Sequence, residues 1–315
     1  MDTKKSVQYI TVSNDREGQR IDNFLIAYVG KVPRSLIYRW LRKGEVRVNK
    51  KRIKQTYKLK ENDIVRIPPV SVEAKISLEQ LNKYDFNYLE KRIIYENSDY
   101  MIVNKPSGLA VHGGTGINVG LIEQLRVIRP NEKKLELVHR LDRDTSGCIL
   151  VAKKYSILTY FHQLLRERKV KKNYHALVFG HWPKAVSKID KPLKKFIPSS
   201  GGERFVRIDK EGKPSLTTIS VIEKFENCTL VNASPHTGRT HQLRVHLQSV
   251  GHPILGDRKY SRREYDQKFI EVGLKRLFLH AKELVFIPPG SEIKKSFIAP
   301  YDDSLDKVIK NLKEK

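Results

Sequence analysis

The residues with the widest chemical repertoire sit in one stretch, Val138-His139-Arg140-Leu141-Asp142-Arg143-Asp144-Thr145-Ser146-Gly147. It holds two carboxylates, two guanidiniums, an imidazole and two hydroxyls, and runs straight into the apolar Cys148-Ile149-Leu150-Val151-Ala152. A polar, turn-forming segment that feeds an apolar run is a loop leading into a buried strand. Loops held by a rigid element are where catalytic groups concentrate. Adjacent cations favour the charged form of a carboxylate, and an ionised Asp serves as nucleophile or base. Arg140 and Arg143 have the fork geometry that suits phosphate. The same composition also fits a surface loop of satisfied ion pairs, and on these residues alone Asp142 and Asp144 are equivalent.

Two further segments could join that loop. Tyr174, in Lys171-Lys172-Asn173-Tyr174-His175-Ala176, lies on an expected strand beside basic residues. It fits a ring that stacks on an unpaired base, and equally a core tyrosine. Thr237-Gly238-Arg239-Thr240-His241-Gln242-Leu243-Arg244-Val245-His246 crowds polar groups at the expected start of a helix. Its histidines with His236 and His252 invite a metal reading. Their spacings of five, five and six are not the i, i+4 pair of a helical zinc site, so no metal is expected.

These segments need a scaffold and a partner. The 315-residue chain is 39% hydrophobic and carries 61 Lys+Arg against 35 Asp+Glu, a net charge of +26. That field makes a polyanion, nucleic acid above all, the leading partner. No run of about 18 apolar residues is present, so no membrane span is expected. The first six residues, Met1-Asp2-Thr3-Lys4-Lys5-Ser6, precede no apolar signal region, and two cysteines in apolar runs fit a reducing cytoplasm.

Residues 1–15 read as an N-terminal arm or short edge strand. Residues 16–70 form a basic module: from 16 to 66 there are 15 basic and 5 acidic residues. Ile21, Leu25 and Tyr28 mark one helix face, and Ile37, Trp40 and Leu41 a second whose far side carries Arg34, Arg39, Arg42 and Lys43. Lys43-Gly44 ends that helix. A short strand with Arg47, a turn with Lys50, Lys51 and Arg52, and the strand Ile64–Ile67 complete the unit. Residues 71–87 read as a linker.

Beyond it, strands are expected in Ile93–Asn104, a helix at Leu121–Arg126, and a helix capped by Ser156. Further strands are expected at Lys171–Val178, Thr217–Lys224, Cys228–Ala233, Leu277–Ala281 and Glu283–Ile287. Residues 192–215 read as a basic loop, Thr240–Val250 as a helix, and Leu305–Lys315 as a C-terminal helix. The class is α+β: a catalytic domain at 88–303 on a mixed, mostly antiparallel sheet with flanking helices, a small αα-β domain before it, and a helix at 304–315.

The motifs resemble known families. Arg20-Ile21-Asp22-Asn23-Phe24-Leu25, Pro33-Arg34-Ser35-Leu36-Ile37 and Lys43-Gly44-Glu45-Val46-Arg47-Val48-Asn49 look like an S4 RNA-binding domain. His139-Arg140-Leu141-Asp142 with Thr145-Ser146-Gly147 is similar to the signature of the RluA family of pseudouridine synthases. Lys172 and Tyr174 resemble that family's second motif, and Gly238 to His246 its third. Gly251 to Asp257 and Leu277-Phe278-Leu279-His280-Ala281 also fit. The S4-like module, Val48-Asn49-Lys50-Lys51-Arg52-Ile53-Lys54 and the His112-Gly113-Gly114 loop point to the RluC branch, which modifies large-subunit (23S) ribosomal RNA. Cys148 and Leu216 depart from the expected Val and polar residue without touching the chemistry.

The resemblance implies isomerisation of specific uridines to pseudouridine by glycosidic cleavage, base rotation and carbon–carbon bond formation, with no cofactor. It implies Asp142, Tyr174 and Arg244 as catalytic residues, Asp142 attacking C1′ or C6 or forming a glycal, and Arg244 pairing with it. Arg140 is expected to fill the gap left by a flipped base or to hold its phosphate. Arg143, Arg239 and the S4-like Arg34, Arg39, Arg42, Lys43, Arg47, Lys50, Lys51 and Arg52 are expected to contact RNA. No required protein partner is expected, and a cytoplasmic monomer is the default. Two other readings compete: a catalytically silent RNA-binding ribosome-assembly factor, and a glycoside hydrolase that uses Asp142 and Asp144 as its acid pair.

Overall fold

The structure, a computed structural model, describes residues 6–29, 32–70, 85–113, 119–132, 134–196 and 205–314. The chain divides into two compact units between Asp85 and Phe86. Most of the expected linker, residues 71–84, lies outside the described residues. Asn87–Arg92 forms a 3-10 turn within the second unit and buries Leu89 there.

In the first unit, helices Ile21–Val29 and Arg34–Lys43 pack on strands β1 (Gln8–Thr11), β2 (Arg47–Val48) and β3 (Ile64–Ile67). The order is β1-β3-β2 with antiparallel pairing, so this part of the N-terminal arm is an edge strand. Ile21, Leu25, Ile37, Trp40 and Leu41 meet Val48, Val65 and Ile67 in one buried core. Helical and strand periodicities therefore converge on one apolar volume. Gly44 closes the second helix at φ 70°, its N–H donating to the Leu41 carbonyl, a left-handed cap that glycine adopts without a Cβ penalty.

The second unit is built on one ten-stranded sheet. Its strands are β4 (Ile93–Glu96), β5 (Tyr100–Lys105), β6 (Glu136–Leu137), β7 (Ser146–Ala152), β8 (Lys171–Phe179), β9 (Lys188–Asp190), β12 (Leu216–Lys224), β13 (Cys228–Pro235), β14 (Leu279–Phe286) and β15 (Lys295–Ile298). The path runs β4-β5-β7-β14-β8-β13-β12-β9, with β15 on β14 and β6 on β7. The β7–β14 pair is parallel and the other described pairs are antiparallel. β7 is buried along its whole length, as a central strand covered on both faces must be. Helix Tyr155–Arg166 sends Phe161 and Leu164 to one face of the sheet, and helix Leu121–Ile128 sends Leu121, Ile122 and Leu125 to the other core cluster.

Several local expectations change. Helix Tyr155–Arg166 starts one residue before Ser156, with Lys154 at its N-cap and no side-chain cap. Thr240 and His241 stand outside their helix, which spans Gln242–Gln248. The 192–215 region is not all loop. β10 (Leu193–Phe196) and β11 (Phe205–Ile208) pair as an antiparallel ribbon, and their exposed Lys194, Lys195, Phe196 and Arg207 hide the strand signal. The two strands expected around residue 282 are one, β14, broken in register by a bulge at Lys282. The C-terminal helix Asp303–Lys313 buries Leu305 and Val308 against Leu177 and Phe278, so it is part of this unit's core.

Candidate active site

Asp142 stands at the tip of the loop that leads into β7, and three sets of hydrogen bonds hold that loop. The Thr145 N–H donates to the Asp142 carbonyl at 3.2 Å, closing a turn. The neighbouring loop clamps its far side: the Gly108 N–H and the Lys105 ammonium donate to the Arg143 carbonyl, each at 2.9 Å, and Ser107 Oγ donates to the Asp144 carbonyl at 2.7 Å. The Lys105 side chain is fully buried, and its other two protons go to the Pro106 and Leu109 carbonyls, both at 2.8 Å. Burial pushes Lys105 down to about 7, while the Asp144 and Asp142 charges pull the other way.

The loop's exit is fixed from β14. Gly147 takes φ 108°, and a Cβ there would come within 2.3 Å of the Ala281 carbonyl oxygen, so the close parallel approach of β7 to β14 requires glycine. Ser146 Oγ lies 2.8 Å from His280 Nδ1 and accepts from Arg276 at 3.1 Å, and Arg276 reaches Asp302 at 2.7 Å. His280 Nε2 meets the Ala299 carbonyl at 3.2 Å. That pattern is a neutral imidazole with its proton on Nε2, and burial indeed drives His280 down to about 4.

β8 carries Tyr174 between two alanines, Ala233 on β13 and Ala281 on β14. The ring packs against both neighbouring core clusters and lines the cavity over Asp142. Burial first, and the nearby Asp142 second, push its phenol above the ordinary tyrosine value. Tyr174 is therefore a neutral donor and an apolar platform.

Helix Gln242–Gln248 supplies Arg244. Its Nη1 lies 3.8 Å from Asp142 Oδ2, but its main partner is Asp257: Nε and Nη2 each donate to that carboxylate at 2.7 Å. The side chains of Arg244 and Asp257 are 9% and 1% exposed. Burial opposes the guanidinium charge, and the Asp257 hydrogen bonds together with the Asp257 and Asp142 charges outweigh it, so Arg244 is held above its usual value. The Tyr260 ring lies under the guanidinium at 4.9 Å. The turn before the helix is set by Gln242, which accepts from Thr237 Oγ1 and the Arg239 N–H and donates to the Leu216 carbonyl and Thr217 Oγ1.

These elements enclose a cavity of about 620 Å³, in the size range of small-ligand sites. Arg140, Arg166, Arg168, Lys172, Arg239 and Arg244 line it, against one carboxylate, Asp142. A phosphate-bearing ligand suits that balance. Arg143 and Asp144 are outside the lining; they pair with each other at 3.7 Å and are 66% and 57% exposed. The two carboxylates that sequence leaves equivalent are thus separated, and the acid pair of a hydrolase is not assembled. In the first unit Arg34, Arg39, Arg42, Lys43, Arg47, Lys50, Lys51 and Arg52 are all exposed. The ion pair among that unit's described residues is Arg20–Asp22 at 2.7 Å, and it includes none of the eight.

Known proteins resemble the chain over nearly its whole length. Residues 99–249 match the RNA pseudouridylate synthase model, and residues 19–65 match the S4 domain. Over 314 residues the chain is 52% identical to a ribosomal large subunit pseudouridine synthase C of Pasteurella multocida, covering 98% of this chain and 95% of that one. A protein of the same name from Vibrio cholerae is 48% identical over 316 residues, 99% and 98% of the two chains. The chain belongs to the RNA pseudouridylate synthase family. Among solved structures, human RNA pseudouridylate synthase domain containing 4 aligns with a TM-score of 0.59 at 26% identity, over 75% of this chain and 97% of that one. The human domain containing 1 protein gives 0.55 at 27%, over 71% and 94%.

Four residues of the site carried no role in the sequence reading. Asp257 ends the Gly251-to-Asp257 motif, and only the fold pairs it with Arg244. Tyr260 and His241 meet each other at 2.7 Å. Lys105 reads as a turn lysine, and its burial is the missed signal. The four histidines considered for a metal go separate ways: His236 to Thr218, His241 to Tyr260, His246 to Ser215 and Thr217, and His252 to the Phe179 carbonyl.

Proposed function

We propose that this protein isomerises specific uridines of large-subunit (23S) ribosomal RNA to pseudouridine, with Asp142 as the catalytic carboxylate. One observation carries the reading: a single carboxylate lies in a cation-lined cavity, beside the buried Arg244 guanidinium, with the half-buried Tyr174 in the same lining. The N1–C1′ bond breaks, uracil turns, C5 bonds to C1′, the C5 proton leaves and N1 gains one, so no atom is lost. A uridine within folded RNA must be flipped out, which costs a few kcal/mol. Phosphate contacts along the basic S4 surface and the cavity rim offset that.

Asp142 attacks C1′ or C6, or takes the C2′ proton to form a glycal. Tyr174 packs on the flipped uracil, and it becomes a base for the C5 proton only as the phenolate that its surroundings disfavour. Arg244 holds Asp142, and Arg140 enters the gap left by the base or binds its phosphate. The protein acts in the cytoplasm as a monomer, without a cofactor. The large-subunit relatives at about half identity support the substrate.

The test is incubation with unmodified 23S ribosomal RNA transcript and mapping of pseudouridines. Wild type should modify a small set of uridines and Asp142→Asn none. Binding without modification would leave an assembly factor, and release of free uracil would mean hydrolysis.

A further inference from the structure

His241 is built in a way that its place in the helix does not require. It precedes helix Gln242–Gln248 at φ 52° and ψ 22°, a left-handed conformation that few residues other than glycine adopt, though His is among the more tolerant. Its side chain caps no helix N–H. Strain of this kind, held in place by surrounding structure, is a pointer to function.

The ring's surroundings define its tautomer. The Val206 N–H donates to Tyr260 Oη at 3.0 Å, which leaves the Tyr260 O–H to donate to His241 Nδ1 at 2.7 Å. A neutral imidazole that accepts at Nδ1 carries its proton on Nε2. Nε2 lies 4.0 Å from Asp142 Oδ2, the same oxygen that Arg244 Nη1 approaches at 3.8 Å. Both distances exceed a hydrogen bond, as catalytic contacts often do before substrate closes the site. Arg244 commits Nε and Nη2 to Asp257, so it offers Asp142 one nitrogen. The charged groups around the ring are Asp142, Arg244, Lys259 and Asp257. Burial pushes His241 down and the Tyr260 phenol up, which agrees with a neutral ring and a phenol that donates.

We propose that His241 is a positioning residue for Asp142. Tyr260 fixes its Nε2–H toward Oδ2, and His241 and Arg244 together hold that oxygen so that Oδ1 meets the substrate. This rests on the reading of Asp142 as the catalytic carboxylate. The arrangement inverts the usual order of a triad: the tyrosine orients the histidine, and the histidine orients the carboxylate.

Three substitutions in the full-length protein, assayed for kcat and KM on 23S ribosomal RNA transcript, test it. His241→Asn keeps a residue that tolerates the left-handed backbone, but its amide ends near the Nδ1 position. It should lower kcat by about 10- to 100-fold with KM unchanged, the scale of a misaimed reacting group. His241→Gln carries an amide N–H out to the Nε2 position and should recover most of that loss. Tyr260→Phe keeps the ring under Arg244 and removes the hydroxyl; it should lower kcat, and should add nothing in a His241→Asn background. A wild-type kcat in His241→Asn, equal loss in the Asn and Gln variants, or additive losses with Tyr260→Phe would each overturn the positioning role. Asp142→Asn runs beside them. If it is inactive while His241→Asn is at wild-type level, only this inference fails; if it is fully active, the reading beneath it fails.

Discussion

Two sets of cations, one in each unit, are held in opposite ways. In the first, Arg34, Arg39, Arg42, Lys43, Arg47, Lys50, Lys51 and Arg52 stand exposed. In the second, Arg244 is 9% exposed and locked to a 1% exposed Asp257, with a tyrosine ring beneath it. Exposed charges act through a field that salt screens, and neighbours can replace one another. A buried pair acts through geometry, and removing one partner leaves an uncompensated charge. The first arrangement suits a long polyanion gripped at many points. The second suits one reacting group held in one orientation.

The contrast is broken most severely at Asp142. Asp142→Asn preserves size, and it should lower kcat by at least on the order of 10³-fold, as loss of a directly acting group does. RNA affinity, measured by filter binding, should be unchanged. A kcat within tenfold of wild type would make the cavity carboxylate no more special than an S4 arginine. Next comes Asp257→Asn. Asp257 accepts both Arg244 contacts and the Lys259 and Tyr260 N–H groups. The substitution should destabilise the protein by about 3–5 kcal/mol, read from denaturant unfolding, and lower kcat because Arg244 loses its anchor.

What could be read from sequence follows the same division. Ile37, Trp40 and Leu41 announce their helix face, Gly44 its end, and Cys148–Ala152 a central strand, because these signals are local. The S4 cations are legible for that reason too. The motifs around Asp142, Tyr174 and Arg244 single these residues out, yet 32 and 102 residues separate the last two from the first. That the fold brings them to one cavity depends on the β7–β14–β8 order, which no local pattern states. Lys105 shows the limit most clearly. Its environment is made by carbonyls from its own loop and from Arg143, 38 residues away, so it reads as a turn lysine beside a proline. β10 and β11 are illegible for the converse reason: lysine on an exposed ribbon looks like a loop.

Acid separates the units further. All ten histidines lie beyond residue 85. Burial lowers His139 to about 3 and His175 and His280 to about 4, against an ordinary 6.5. Between pH 6.5 and about 4 the unfolded chain therefore binds protons that the native second unit refuses, and stability falls as pH falls. Thermal scans over that range should show the second unit losing stability, and His280→Gln should flatten part of the slope. If the S4 unit, which has no histidine, melts first over this window, the buried imidazoles are not what governs acid sensitivity.

The smallest effects belong to the S4 surface. A single Arg52→Ala or Lys50→Ala should weaken RNA binding modestly and leave kcat at saturating RNA untouched. It should also reduce the slope of log affinity against log salt by about 1, the signature of one lost phosphate contact. Fluorescence anisotropy across a salt series reads both quantities. Substitutions along Arg34, Arg39, Arg42 and Lys43 should accumulate in the same slope, because each lost cation removes one phosphate contact and its released counterion. A single S4 substitution that lowers kcat instead would mean that this surface is held in a fixed geometry as the cavity is, and the division between gripping and reacting cations would no longer follow the division between units.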